Sequence, residues 1–222
     1  MVFYAVANGR EIGIFSNWND CNASVKNYKN AAFKKFNTRE EADEFIQQYT
    51  TALAAKTALS DKSHMETIEL FVYTDGSCSK NGRKNACAGI GIYFGTNDPR
   101  NVSKRIEGKQ TNNTAELSAI IETYKIIENE IASGKKIAIM TDSEYAMKCV
   151  GSYGEKCCKK NWDKEIPNIG LIQQIYEMYK DKPNVEFIHV KAHTNNTDIH
   201  SVGNWNADLL ANMAVGLHAS IA

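Results

Sequence analysis

Short apolar runs separated by polar turns open the chain. Residues 2–7 (Val-Phe-Tyr-Ala-Val-Ala) and 11–15 (Glu-Ile-Gly-Ile-Phe) flank Asn8-Gly9, a pair suited to the positive φ angles of a tight hairpin turn. Trp18, Cys21 and Val25 recur at helical spacing and predict a short helix. Residues 31–36 predict a third strand. Thr38-Arg39-Glu40-Glu41 is a capping box that opens a second helix through Tyr49, with Ala42, Phe45, Ile46 and Tyr49 on one face. Residues 1–49 thus read as a small α/β domain of ββαβα order. Residues 50–66 are polar and Ala-rich without a clear apolar period. They either extend the preceding helix or act as a tether, and we read a domain linker there.

The pattern changes at residue 67, where a second domain is expected to run to 217. Three strands are predicted in succession, at 68–74, 88–94 and about 102–108, with loops rich in Asn, Gly and Lys. Residues 114–133 predict a long helix, because Leu117, Ile120, Ile121, Tyr124 and Ile127 form one stripe and Gly134 closes it. A strand at 137–141, a helix from Glu144, a basic loop to Lys164 and a helix at about 169–180 follow. Residues 185–190 predict a fifth strand, 191–203 a polar loop and 203–216 a last helix. Three strands followed by helix–strand alternation indicate a mixed five-stranded sheet flanked by helices.

Composition narrows the class. The 222 residues are 43% hydrophobic and 23% charged, as in a soluble globular protein, and no apolar run is long enough for a membrane span. The first residues lack the basic region and apolar core of a secretory signal and the Arg-rich pattern of a mitochondrial one, so an intracellular location, nuclear or cytoplasmic, is expected. Six cysteines without a Cys-x-x-Cys pair suggest free thiols, not a disulfide framework or a zinc site. Formal net charge is zero, yet lysines cluster at 26–36 and again at 148–164, which suggests two contacts with polyanions. In the first cluster, Lys34 and Lys35 sit beside Phe33, with Trp18 and Tyr4 nearby in the same unit. Cations beside flat rings suit a nucleic-acid backbone and its bases. The other reading is that the three rings are core and the lysines only protect an edge strand.

The candidate chemistry lies in four acids. Asp75 and Asp142 follow two apolar strands that could lie side by side, where open α/β sheets place ligands. Glu116 is in the first turn of the long helix, on the edge of its apolar stripe. Asp208 lies in the last helix, just before Leu209-Leu210. Core-facing carboxylates without matching Lys or Arg nearby in sequence imply divalent cations, and all-oxygen ligation favours Mg2+ or Mn2+. Taken singly, Glu116 could instead complement the helix dipole and Asp208 could be a solvated helix residue.

Tyr-Thr-Asp-Gly-Ser (73–77), Thr-Asn-Asn-Thr-Ala-Glu-Leu (111–117), Thr-Asp-Ser-Glu-Tyr (141–145), Val-Lys-Ala-His-Thr (190–194) and Asn-Trp-Asn-Ala-Asp-Leu-Leu-Ala (204–211) closely resemble the type 1 ribonuclease H family, in its order and spacing. Trp18-Asn19-Asp20-Cys21 and Ala32-Phe33-Lys34-Lys35-Phe36 resemble the hybrid-binding domain found ahead of its eukaryotic members. The resemblance implies a ribonuclease H-like fold and endonucleolytic hydrolysis of the RNA strand of RNA/DNA hybrids, leaving 5′-phosphate and 3′-hydroxyl ends. It implies two Mg2+ ions, replaceable by Mn2+, held by Asp75, Glu116, Asp142 and Asp208, with His193 assisting proton transfer or product departure. Asn112, Asn113 and the backbone around Gly76, Ser77 and Cys78 would face the ribose side, where the 2′-hydroxyl marks RNA. Lys109 and Thr111 would hold a DNA phosphate, and Lys159, Lys160 and Trp162 would grip the substrate. In the N-terminal domain, Lys34 and Lys35 would grip the RNA backbone while Tyr4, Trp18 and Phe33 lie along the DNA.

Three departures from the family pattern stand out. Lys109 replaces a usual Arg and cannot make a bidentate phosphate contact, Ala32 replaces an Arg, and the basic loop is a few residues shorter. Expected partners are an RNA/DNA hybrid and, weakly through the N-terminal domain, double-stranded RNA. No dimer seam stands out, so a monomer is expected. The alternative reading is a non-catalytic binder of hybrids or double-stranded RNA.

Overall fold

Alternation along the first strand gives it two faces, and a helix covers each. In the computed structural model, which describes residues 2–163, 165–191 and 197–217 with side chains except at 55 and 57–62, β1 (Phe3–Asn8) lies between β2 (Gly13–Phe15) and β3 (Ala32–Phe36). All pairing is antiparallel, with Tyr4 opposite Phe15 and Lys35, and Val6 opposite Phe33. Helix α1 (Trp18–Val25) covers the Tyr4–Val6 face, burying Val6, Cys21 and Val25 against Phe15 and Ala31. Helix α2 (Arg39–Met65) covers the other face, where Phe45 meets Phe36 at 5.5 Å between ring centroids. The expected capping box forms: the Glu41 amide donates to Thr38 Oγ1 at 3.3 Å.

Two expectations need correction. Gly9 does not adopt a positive φ; residues 9–12 form a longer loop instead. A Cβ on Gly9 would lie 2.7 Å from both Ser24 Oγ and Val6 Cγ1, so close approach explains this glycine. Arg10 uses the same approach to cap α1, donating to the carbonyls of Ala23 at 3.2 Å and Lys26 at 2.7 Å. The expected linker at 50–66 is largely helix, because α2 continues to Met65. No Gly or Pro interrupts residues 39–66, and their Ala, Leu, Gln and Lys are strong helix formers. Contacts divide the chain into Met1–Thr67 and Ile68–Ala222.

The second unit has the mixed sheet that its strand and helix order predicted. Strands β4 (Leu70–Ser79), β5 (Cys87–Tyr93), β6 (Val102–Arg105), β7 (Ile137–Thr141) and β8 (Val185–His189) lie in the order β6-β5-β4-β7-β8. The β4–β7 and β7–β8 pairs are parallel and the others antiparallel. Helix α3 (Asn112–Ile126) packs its Leu117, Ile120 and Ile121 onto Val72, Ile90, Ile92 and Ile139. It is not the single helix expected over 114–133: the chain turns at Ile127 and α4 (Glu128–Ala132) follows. Helix α5 (Glu144–Val150) leads into α6 (Ser152–Lys159), so much of the expected basic loop is helical. Helix α7 (Ile169–Tyr179) backs α3. Helix α8 (Ile199–Ala214) lies on the opposite face and starts earlier than predicted, because Asp198 caps the amides of His200 and Ser201 at 3.1 Å. No described helix is long and apolar enough to cross a membrane.

Candidate active site

Asp75 is not at a strand end, as its Asp-Gly sequence suggested. Strand β4 continues to Ser79 by pairing with β5, Asp75 opposite Gly91 and Ser77 opposite Gly89. Pairing with β7 stops at Tyr73–Met140, so Asp75 stands where the parallel half of the sheet ends. Asp142 directly follows β7, whose last residue, Thr141, pairs with His189. Glu116 comes from α3, which starts at Asn112, so it lies beyond the first turn and is only 6% exposed. Gly76 makes that approach possible: a Cβ there would overlap the Glu116 amide nitrogen and sit 2.6 Å from the Ala115 carbonyl carbon. Gly91 does the same for α8, whose Ala207 and Ala211 backbones would meet its Cβ.

The outcome is one acidic centre. Oxygens of Asp75, Glu116 and Asp142 lie within 4.8 Å of one another. Asp208 on α8 lies near enough to Asp75 for its charge to raise that carboxyl. Burial, then the charges of Asp142 and Asp208, push Asp75 up to about 8, against a partial lowering by the Gly76 amide. Burial and the neighbouring Asp75 and Asp142 raise Glu116 well above the carboxylate range, again opposed by Gly76. Like charges brought together and desolvated favour the neutral form.

What holds these groups is neutral. The Gly76 backbone N–H favours the ionised forms of Asp75 and Glu116. Asn204 Nδ2 donates to Asp142 Oδ2 at 3.0 Å, and Asn212 Nδ2 donates to Asp208 Oδ1 at 3.0 Å. Among the described residues none of the four acids is in an ion pair with Lys, Arg or His. Asn204 is 4% exposed, and its Oδ1 has no partner although buried. Reversing that amide would set oxygen against the Asp142 carboxylate, so the orphaned oxygen is forced. Repelling carboxylates, neutral braces and an unsatisfied acceptor together fit a hydrated divalent cation. Oxygen donors without His or Cys suit a hard ion of the Mg2+ or Mn2+ type.

The other predicted site residues scatter around this centre. Thr111 is the N-cap of α3, its Oγ1 accepting the Thr114 amide at 3.2 Å. Asn112 and Asn113 are exposed in the first turn of that helix. Lys109 lines a cavity of about 610 Å3 with Thr114, Ser118, Pro167, Asn168 and Leu171. Ser77 turns inwards, its Oγ donating to Asn212 Oδ1 at 2.6 Å. Cys78 is half-buried, its thiol pushed up by burial and by Cys87. Lys159 is exposed in a 2.6 Å pair with Glu155, Lys160 follows α6, and Trp162 packs on Tyr176 at 5.7 Å. His193 lies outside the described residues.

In the first unit, Trp18 and Phe33 are 44% and 42% exposed, so they are not core. Trp18 stands 5.7 Å from Tyr4 and 5.9 Å from Phe33 between centroids. Lys35 shares that face through its pairing with Tyr4, whereas Lys34 is on the opposite one, its Nζ 5.4 Å from the Phe36 ring. Sequence reasoning missed Asn204 and Asn212. Their signal was spacing: each is four residues from Asp208 on one helix, and so on its face.

Comparison with known proteins gives a consistent result. The RNase H family matches residues 67–216, and the ribonuclease H1 N-terminal domain matches residues 2–46. Ribonuclease H of Schizosaccharomyces pombe is 33% identical over 94% of this chain and 95% of its own. Ribonuclease H1 of Homo sapiens is 30% identical over 95% of this chain and 88% of its own. Among solved structures, the PFV RNase H domain superposes with a TM-score of 0.51 at 25% identity, covering 68% of this chain and 96% of that one.

Proposed function

We propose that this chain, which belongs to the ribonuclease H family, hydrolyses the RNA strand of RNA/DNA hybrids at the acidic centre on β4. The observation that carries the reading is the convergence of Asp75, Glu116 and Asp142, with Asp208 alongside and no cationic side chain paired to any of them among the described residues. Two Mg2+ ions, or Mn2+ in their place, would supply there an activated water and stabilisation of the leaving oxygen, giving 5′-phosphate and 3′-hydroxyl ends. The four carboxylates would hold the ions. Asn204 keeps Asp142 in place from α8, and Asn212 does the same for Asp208. Because these donors are neutral, they leave the charge of the carboxylates to be balanced by the ions.

Substrate recognition is divided between the two units. Asn112 and Asn113, exposed in the first turn of the helix that carries Glu116, would meet the ribose side, and Lys109 with Thr111 a DNA phosphate. In the first unit, Tyr4, Trp18 and Phe33 would lie along the DNA and the lysines of β3 along the RNA backbone, which would also admit double-stranded RNA weakly. His193, which precedes α8 in the chain, would act as a proton carrier. The protein would work as a monomer in the nucleus or cytoplasm.

The test is cleavage of an end-labelled RNA/DNA hybrid in Mg2+, beside single-stranded RNA, duplex RNA and duplex DNA, with Asp142→Asn as control. The expected outcome is cutting of the hybrid's RNA strand alone, lost in the variant. Tight binding without cutting, equal in both proteins, would make this a non-catalytic binder and refute the proposal.

A further inference from the structure

We propose that Asn212 is a positioning residue that, braced by Ser77, fixes Asp208 for cation binding. This rests on the reading of Asp208 as a metal ligand. Asp75 and Glu116 are buried, whereas Asp208, like Asp142, is only half-buried, and on α8 it faces the like charge of Asp75. Repulsion from Asp75 alone would turn such a side chain towards solvent, where it gains rotamer freedom. Asn212, one turn further along α8, opposes this with an N–H at 3.0 Å from Asp208 Oδ1.

The orientation of that amide is fixed from its other end. Ser77 Oγ donates to Asn212 Oδ1 at 2.6 Å, which obliges Nδ2 to face Asp208. Ser77 lies two positions beyond Asp75 on β4, and so on the same face of the strand. The chain Ser77–Asn212–Asp208 therefore ties the fourth carboxylate to the strand that carries the first. An amide suits the task because it donates without charge. A Lys or Arg at 212 would neutralise Asp208 and compete with the cation. Asn204 repeats the device one turn on the other side of Asp208, holding Asp142 at 3.0 Å. Partners that orient a ligating carboxylate typically change metal affinity about 10- to 100-fold when removed.

The experiment is a calorimetric titration of Mg2+ into the full-length protein without substrate, for wild type, Asn212→Leu, Ser77→Ala and the double variant. Cleavage against Mg2+ concentration is measured in parallel, and thermal melts in chelator check that each variant folds. Asn212→Leu is expected to weaken Mg2+ binding about tenfold and to raise the Mg2+ needed for half-maximal cleavage equally, with KM for the hybrid unchanged. Ser77→Ala should act in the same direction by less, and the double variant should match Asn212→Leu alone, as one linked unit requires. Wild-type Mg2+ binding in Asn212→Leu, strictly additive losses in the double variant, or no Mg2+ binding by the wild type would each overturn the proposal. Wild-type protein that binds Mg2+ but leaves hybrids intact would refute the proposed activity, while the isotherms would still decide the role of Asn212.

Discussion

The two candidate contact regions of this chain are built on opposite energetic terms. In the second unit, Asp75 and Glu116 are each 6% exposed and set against like charges, so their ionised state is held at a cost to the fold. In the first unit, Trp18 and Phe33 are 44% and 42% exposed, and Lys35 is exposed beside them, so their burial contributes little to the fold. Where chemistry is proposed, the protein concentrates charge and excludes water; where grip is proposed, it leaves rings and cations open to solvent. Substitutions in the two regions should therefore differ in kind. Those that neutralise a buried carboxylate of the acidic centre should change turnover and stability in opposite directions. Those on the aromatic face should change affinity alone.

The sharpest contrast is expected from Asp75→Asn. Cleavage should fall by at least about a thousandfold, since several kcal/mol of metal-derived stabilisation would be lost. Metal-free protein should nonetheless gain stability at neutral and mildly alkaline pH. A carboxyl raised from 3.8 to about 8 is more protonated folded than unfolded in that window. Stability therefore falls as pH rises through it, and a neutral amide removes the fall. Thermal melts in chelator from pH 5 to 9 would test this. A variant that melts below wild type across that range would show that the centre is not under electrostatic strain.

Gly76→Ala should be the next largest. Its Cβ would strike the backbone of Ala115 and Glu116, so α3 must shift away from β4. Overpacking of this kind costs about 1–3 kcal/mol and should lower both Tm and turnover, unlike Asp75→Asn. Trp18→Ala belongs to the other class. Loss of one stacked base contact is worth about 1–3 kcal/mol and should weaken hybrid binding at least severalfold, with kcat and Tm near wild type. A Trp18→Ala protein that binds hybrid as tightly as wild type would remove the aromatic face from the proposed interface.

Most of the architecture was legible because strand and helix periods differ so clearly here. The first strand, the stripe of Leu117, Ile120 and Ile121 and the buried β7 run all appear in the places their spacing indicated. The unread parts share a cause, which is that a distant partner outweighs the local signal. Asp75-Gly76 looks like a turn, yet β5 offers Gly91 and Gly89 as partners and the strand continues. Residues 152–159 offer only Tyr153 and Cys157 at helical spacing, and these, with Gly154 beneath Tyr176, are enough to seat α6. Residues 50–65 have no stripe at all and are helical by propensity. The four acids were legible as residue types in their motifs. Their neutral braces were not, because an Asn on a helix looks the same whether it meets solvent or a carboxylate.

The smallest expected effect separates two adjacent lysines. Lys34 and Lys35 are both exposed on β3, an edge strand, but side chains alternate along a strand. Lys35 therefore stands with Tyr4, Trp18 and Phe33, while Lys34 lies on the α2 side over Phe36. If hybrid binds flat on the aromatic face, Lys35→Ala should weaken binding and reduce the slope of log affinity against log salt by about one unit. Lys34→Ala should then change both by less, because its ammonium must reach round the strand edge to the same phosphates and leave the Phe36 ring, a contact worth about 0.5–1 kcal/mol. Salt titrations of binding with the two single variants decide the matter. Equal slopes would mean that the nucleic acid wraps the β3 edge and touches both faces, so that the edge, not the aromatic face alone, is the binding surface.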